Sequence, residues 1–151
     1  MKMKNLYFVA YSAMVILLYA CSENDLPTIE HNDFEVGFCH SYVHDGRYVI
    51  DDTTQYKSVM ETFYMDTLNY PECQDSFLIS INFEKKTLLG YRVCGSGCET
   101  IFTREVFLDE PNQKYVYEVL VKEVGACEPL RCQMNWVLVP KLPEGYFVEF
   151  L

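Results

Sequence analysis

The reading of the fold turns on Lys114-Tyr115-Val116-Tyr117-Glu118-Val119-Leu120-Val121-Lys122-Glu123-Val124. Successive side chains of a strand point to opposite faces, so a half-buried strand shows a period of two. Here Tyr115, Tyr117, Val119 and Val121 fall on one face, and Lys114, Glu118 and Lys122 share the other with Val116 and Leu120. Working outward, Asp109-Glu110-Pro111-Asn112-Gln113 has turn chemistry and Cys98 to Leu108 reads as the strand before it. Gly125 to Leu130 reads as a loop, after which Arg131 to Pro140 returns with Met134, Trp136 and Leu138 on one face. Upstream, Phe77–Phe83 and Thr87–Cys94 are strand candidates, the second with Leu89, Tyr91 and Val93 on one face. Gly95-Ser96-Gly97 is a three-residue turn with two glycines able to take positive φ.

Before the sheet comes a helical pattern. Tyr56, Val59, Met60, Phe63 and Tyr64 recur at i, i+3, i+4, i+7 and i+8, one apolar stripe of a helix over about 54–68. Asp51-Asp52-Thr53-Thr54 supplies N-cap oxygens, and Asn69-Tyr70-Pro71 stops it. Tyr48-Val49-Ile50 reads as a short extended piece, and the alternation of Phe34, Val36 and Phe38 as a short strand. The expected fold is α+β: a single domain over 34–151, an antiparallel β-meander of four to six strands with one covering helix, stapled by disulfides.

The chain opens Met1-Lys2-Met3-Lys4, then runs without charge from Asn5 to Ala20 and meets Cys21. A basic start, an apolar run too short to span a bilayer and a small residue before the cut describe an export signal. Ending Leu17-Leu18-Tyr19-Ala20-Cys21, it resembles a bacterial lipoprotein signal, although Tyr19 is bulkier than the residue usual there. That resemblance implies a signal peptide over 1–20 and acyl chains on Cys21 as the mature N-terminus. It also implies a place in the cell envelope, anchored to the outer membrane on its periplasmic face or at the cell surface. Two or more acyl chains hold stably where one does not. Ser22-Glu23-Asn24-Asp25-Leu26-Pro27 begins a flexible tether over 21–33, reaching about 30 Å if extended. Its acidic residues resemble the surface-export signal of some Gram-negative anaerobes, interrupted here by Asn24.

Without the two leader lysines the net charge is −12, from 10 basic and 22 acidic residues. Such a surface repels phosphate backbones, so nucleic acid is not an expected partner. With Cys21 set aside, Cys39, Cys73, Cys94, Cys98, Cys127 and Cys132 remain, an even number in an exported chain. That reads as a disulfide framework. In a meander Cys94, Cys98, Cys127 and Cys132 converge at one end. Local pairing is expected, Cys94 with Cys98 and Cys127 with Cys132, leaving Cys39 for Cys73; crossed pairing of the four is the rival. The four could instead hold zinc, since Cys94-x3-Cys98 has a zinc-site spacing and Cys127-x4-Cys132 is one longer; outside the cytosol disulfides are favoured.

Tyr48-Val49-Ile50-Asp51-Asp52, the helical stripe and Ile81-Asn82-Phe83-Glu84-Lys85-Lys86-Thr87-Leu88-Leu89-Gly90 together resemble small lipoproteins of Gram-negative anaerobes. There an extended segment enters a helix and a DF-x-K-x-T-L segment starts the meander; this chain carries Asn82 in place of the aspartate. Trp136-Val137-Leu138-Val139-Pro140-Lys141-Leu142-Pro143 with Tyr146 to Phe150 is similar to the C-terminal domain of PrcB-type protease-complex subunits. Both imply a compact β-rich module and no activity, and the second a role beside a protease.

Catalytic and cofactor chemistry finds little purchase. His40-x3-His44 lies among loop residues with Asp45 and His31 nearby, and a metal needs a third ligand. Gly95-Ser96-Gly97 lacks the nucleophile elbow, and neither a phosphate loop nor a dinucleotide fingerprint is present. Asp51-Asp52 and Asp109-Glu110 sit at a cap and a turn, where carboxylates are ordinary. Nine tyrosines, nine phenylalanines and Trp136 follow the leader, suited to core packing or to stacking on sugars. The expectation is a non-enzymatic binding module with a membrane tether and no cofactor. An envelope protein is the first candidate partner, a glycan the second, and a hydrolase a distant alternative.

Overall fold

The computed structural model describes residues 26–35, 46–62 and 78–151. They form β1 (Asn32–Asp33), β2 (Arg47–Ile50), α1 (Thr53–Thr62), β3 (Lys86–Gly95), β4 (Glu99–Asp109), β5 (Lys114–Val124), β6 (Arg131–Pro140) and β7 (Phe147–Phe150). The strands make two sheets, of order β1-β6-β3-β2 and β4-β5-β7. All pairings within them are antiparallel except β5 with β7. The layers are helix, first sheet, second sheet.

Burial explains the layering. Odd residues of β5 face the first sheet: Tyr115, Tyr117 and Val119 are buried with Leu89, Val106, Val137 and Val139 in the core between the sheets. Tyr91, Val93 and Val148 pack at its margin. On the other side of the first sheet, Leu88 and Trp136 are buried with Ile50, Tyr56, Met60, Phe34 and Phe83, and Met134 and Leu138 pack against them. β3 and β6 therefore bury both faces. That requires near-continuous apolar runs instead of alternation, as in Leu88-Leu89 and Trp136-Val137-Leu138-Val139.

The α+β class, the covering helix and the disulfide staples are all present, and the faces read for β3, β5 and β6 are the faces the core uses. Strand order, however, does not follow sequence order. β3 pairs along its whole length with β6, from Lys86↔Pro140 to Gly95↔Arg131, while β4 and β5 form the hairpin of the second sheet. Of the helical stripe, Tyr56 and Met60 are buried and Val59 packs beside them; Phe63 and Tyr64 lie outside the described residues. Asp52 is the N-cap, its Oδ1 accepting the N–H groups of Thr54 (2.7 Å) and Gln55 (2.8 Å).

Three boundaries differ from the sequence reading. Residues 78–83 form no strand. Instead Asn82 closes a turn: its backbone carbonyl accepts from the N–H groups of Lys85 and Lys86, and its side chain accepts from the N–H of Glu84. The first strand is Asn32–Asp33, not Phe34 onward; Phe34 still donates its N–H to the Trp136 carbonyl of β6 (3.0 Å) while its ring meets Tyr56 edge-on at 6.4 Å. Val36 and Phe38 lie outside the described residues. The third difference concerns the tether. From Pro27 onward the chain is already part of the fold: the Leu108 N–H donates to the Pro27 carbonyl (2.9 Å) and the Ile29 N–H to the Val106 carbonyl (2.7 Å). A backbone donor and a backbone acceptor left free on the β4 edge, the Leu108 N–H and the Val106 carbonyl, recruit it.

Candidate functional site

Three places could carry function: the disulfide-bridged end, the side crossed by the N-terminal segment, and the carboxylates at cap and turn. At the first, β3 ends in one sheet and β4 begins in the other, so Ser96–Cys98 must cross between layers. Gly97 allows it with φ +109°, a conformation that L side chains rarely adopt. The crossing is fastened to its neighbours. The Gly97 N–H donates to the Cys127 carbonyl (3.1 Å), the Cys98 N–H to the Val124 carbonyl (2.8 Å) and the Ser96 N–H to Glu123 Oε1 (2.6 Å). That last bond holds the Glu123 carboxyl below its usual range.

The four cysteines do converge at this end, but the pairing is crossed. Cys94 bonds Cys132, its register partner across β3 and β6, with Cα atoms 4.0 Å apart. Cys98 bonds Cys127, with Cα atoms 4.7 Å apart. The local scheme of Cys94–Cys98 and Cys127–Cys132 fails because it takes β3 and β4 as hairpin neighbours; they lie in different layers, and β6 is what stands beside β3. Cys39 and Cys73 lie outside the described residues. Cys98 and Cys127 are exposed, as is every residue from Val124 to Arg131, with Leu130 69% exposed. A loop with no place in the core is thus clamped by a disulfide and two backbone hydrogen bonds.

At the second place the N-terminal segment straps the two sheets together. Thr28 bridges Phe107 at the β4 edge; five residues later Asp33 pairs with Val137 at the β6 edge. His31 spans the step, its ring nitrogens 3.1 Å from the Ile29 carbonyl oxygen and 3.0 Å from that of Arg104. Asp33 pairs with Arg104 Nη1 at 2.9 Å, and Arg104 Nε donates to Asn135 Oδ1 (3.2 Å) between the sheets. Asn135 is fully buried; its amide donates to the carbonyls of Tyr91 and Gln133, and its own carbonyl accepts the Tyr117 hydroxyl at 3.0 Å. Burial raises the Tyr117 hydroxyl's pKa well above its ordinary value, so it stays a donor. His31, Asn32, Asp33, Phe102, Thr103 and Arg104 line an open polar pocket of about 380 Å³. Its strongest charges are already paired with each other. Across the molecule Arg47 closes the opposite side, its guanidinium 5.2 Å from the Tyr91 ring and 6.0 Å from that of Phe150.

The remaining candidates have structural partners. Asp51 accepts the Thr87 hydroxyl (2.5 Å) and pairs with Lys141 Nζ (3.1 Å). Asp109 caps its turn, and the Asn112 amide, followed by the Asn112 N–H and Lys114, holds its carboxyl below the usual range. His40, His44 and Asp45 lie outside the described residues, as do Cys21 and the leader. Among the described residues no group of three or more His, Cys, Asp or Glu could hold a metal, and no helix is long and apolar enough to cross a membrane. Every described tyrosine and Trp136 is buried or half-buried; among the described aromatics Phe147 alone is exposed, at 55%. The strap and the Arg104–Asn135 bridge escaped the sequence reading; the single hint was Ile29, an apolar residue amid polar ones. Compared with known protein families, with curated proteins and with solved structures, the chain finds no match in any of the three.

Proposed function

We propose that this protein is a lipid-anchored module of the bacterial envelope that binds a protein partner and carries out no chemistry of its own. The observation that carries this reading is the exposed loop Gly125–Leu130 clamped through Cys98–Cys127, with Cys94–Cys132 beneath it. Two bridges in one small domain suit an oxidising compartment, which supports export by the leader and lipid on Cys21. A disulfide under an exposed loop adds nothing to a core; it removes the ordering entropy that a partner would otherwise have to supply on binding. Leu130 and Val124 offer the apolar contact such a partner would cover.

The test has two arms. Expressed with its leader in a Gram-negative host, the protein should carry acyl mass on Cys21 and gain a pair of hydrogens per bridge on reduction, and Cys21→Ser should lose the acyl mass and the membrane fraction. A photo-crosslinking residue at Leu130 should yield one adduct of defined mass in intact envelopes, and the same residue at Lys57 on α1 none. A full-length, reduced, cytosolic product, or equal adducts from both positions, would end this reading.

A further inference from the structure

We infer that in the lipidated protein the sandwich has a fixed polarity: the β4–β5 turn end sits against the bilayer and the disulfide-bridged end projects away from it. This rests on the lipid anchor at Cys21 and adds which surface the anchor presents. The strap determines where the chain leaves the domain. Pro27 is bonded to Leu108, one residue from the Asp109 end of β4. From Cys21 to Pro27 the chain can span at most about 21 Å, less than the reach of a tether running to residue 33. β4 runs from Asp109 to Glu99, about 33 Å at strand rise. Cys98 and the exposed loop lie beyond its far end. The distance from the exit point to the loop therefore exceeds the slack in the tether, and turning the loop toward the lipid would require the body of the sandwich to occupy the space of the headgroups. β5 and β6 run the same axis and end at the same two poles, since Lys114 pairs with Asp109 and Val124 with Glu99, while Cys132 pairs with Cys94. Leu130, the most exposed large apolar side chain among the described residues, is thus held away from the membrane at the solvent-facing pole.

The measurement is quenching of a single genetically encoded fluorescent residue at Gln113 or at Glu128, in the full lipidated chain on phosphatidylcholine vesicles containing headgroup-quencher lipid. Quenching at Gln113 should exceed that at Glu128 several-fold, and inserting about twenty Gly/Ser residues after Ser22 should abolish most of the difference. Equal or reversed quenching in vesicle-bound protein of confirmed acyl mass overturns the polarity and leaves the anchor standing. Protein without acyl mass that fails to float with the vesicles overturns the anchor and the polarity with it.

Discussion

Gly90 shows how little space one residue can have. It faces Trp136 across β3 and β6, and a Cβ placed on it would lie 2.2 Å from the indole ring. The bare backbone serves as the floor on which the ring lies. Gly90→Ala should destabilise the domain by about 2–3 kcal/mol, the scale of overpacking in a closed core. The urea midpoint reports the loss, and because Trp136 is the sole tryptophan its emission should shift at the same time. Two carboxylates make a pH prediction at this scale. Asp109 and Glu123 are both held below the ordinary carboxyl range, by the Asn112 amide and the Ser96 N–H respectively. A depressed folded pKa gives stability that is fully present above the unfolded value, near 4, and is lost as pH falls through the folded value. Asp109→Asn with Glu123→Gln should therefore flatten the fall in stability below about pH 4 while leaving its slope near pH 7 unchanged, as read by urea titrations across that range.

Among the elements, β3 and β6 were legible strand by strand and illegible as a pair. The parity of side chains along a strand assigned their faces correctly, and each face meets a different core. It says nothing about which neighbour a strand chooses, since β4 and β6 both offer an apolar face to β3. The continuous runs at Leu88-Leu89 and Trp136 to Val139 are the signal that these two strands sit centrally, buried on both sides. Pairing of the cysteines follows from that choice. Trypsin without reductant should release one three-chain species: Val93–Arg104 bonded to both Glu123–Arg131 and Cys132–Lys141. Local pairing would instead leave Val93–Arg104 as a peptide alone, so mass spectrometry separates the two schemes in one spectrum. The bridges are nested, which limits what they add together. On a chain-entropy estimate, closing the 29-residue separation of Cys98–Cys127 contributes about 4 kcal/mol. Cys94–Cys132 then closes a ring of only about ten residues and contributes about 3 kcal/mol.

For the molecule as a whole, those figures compare with the 5–15 kcal/mol of net stability typical of a domain. Full reduction should lower the melting temperature by about 20 °C, and calorimetry with and without reductant measures it. The strap makes the second whole-molecule prediction. Removing residues up to Asp25 should leave stability unchanged, whereas removal up to Asp33 should cost about 2 kcal/mol or more. Val106 and Leu108 lose backbone partners at the β4 edge, and half-buried Arg104 loses Asp33. Equal urea midpoints for the two truncations would restore the plain-tether reading of 26–33.

The sequence by itself determined the local facts: the four long strands β3 to β6 to within about a residue, which of their faces are apolar, and a helix entered through the Asp51–Thr54 cap stretch. Each depends on side-chain spacing within a few residues, and a period of two or 3.6 is visible in the letters. The tertiary structure alone decided that β3 lies beside β6, that Cys94 therefore meets Cys132, and that Pro27 to Asp33 belongs to the sandwich. Those are choices between partners of similar chemistry far apart along the chain. They are settled by which arrangement buries both faces of the central strands and satisfies the backbone at the sheet edges, a condition that no single stretch of residues states.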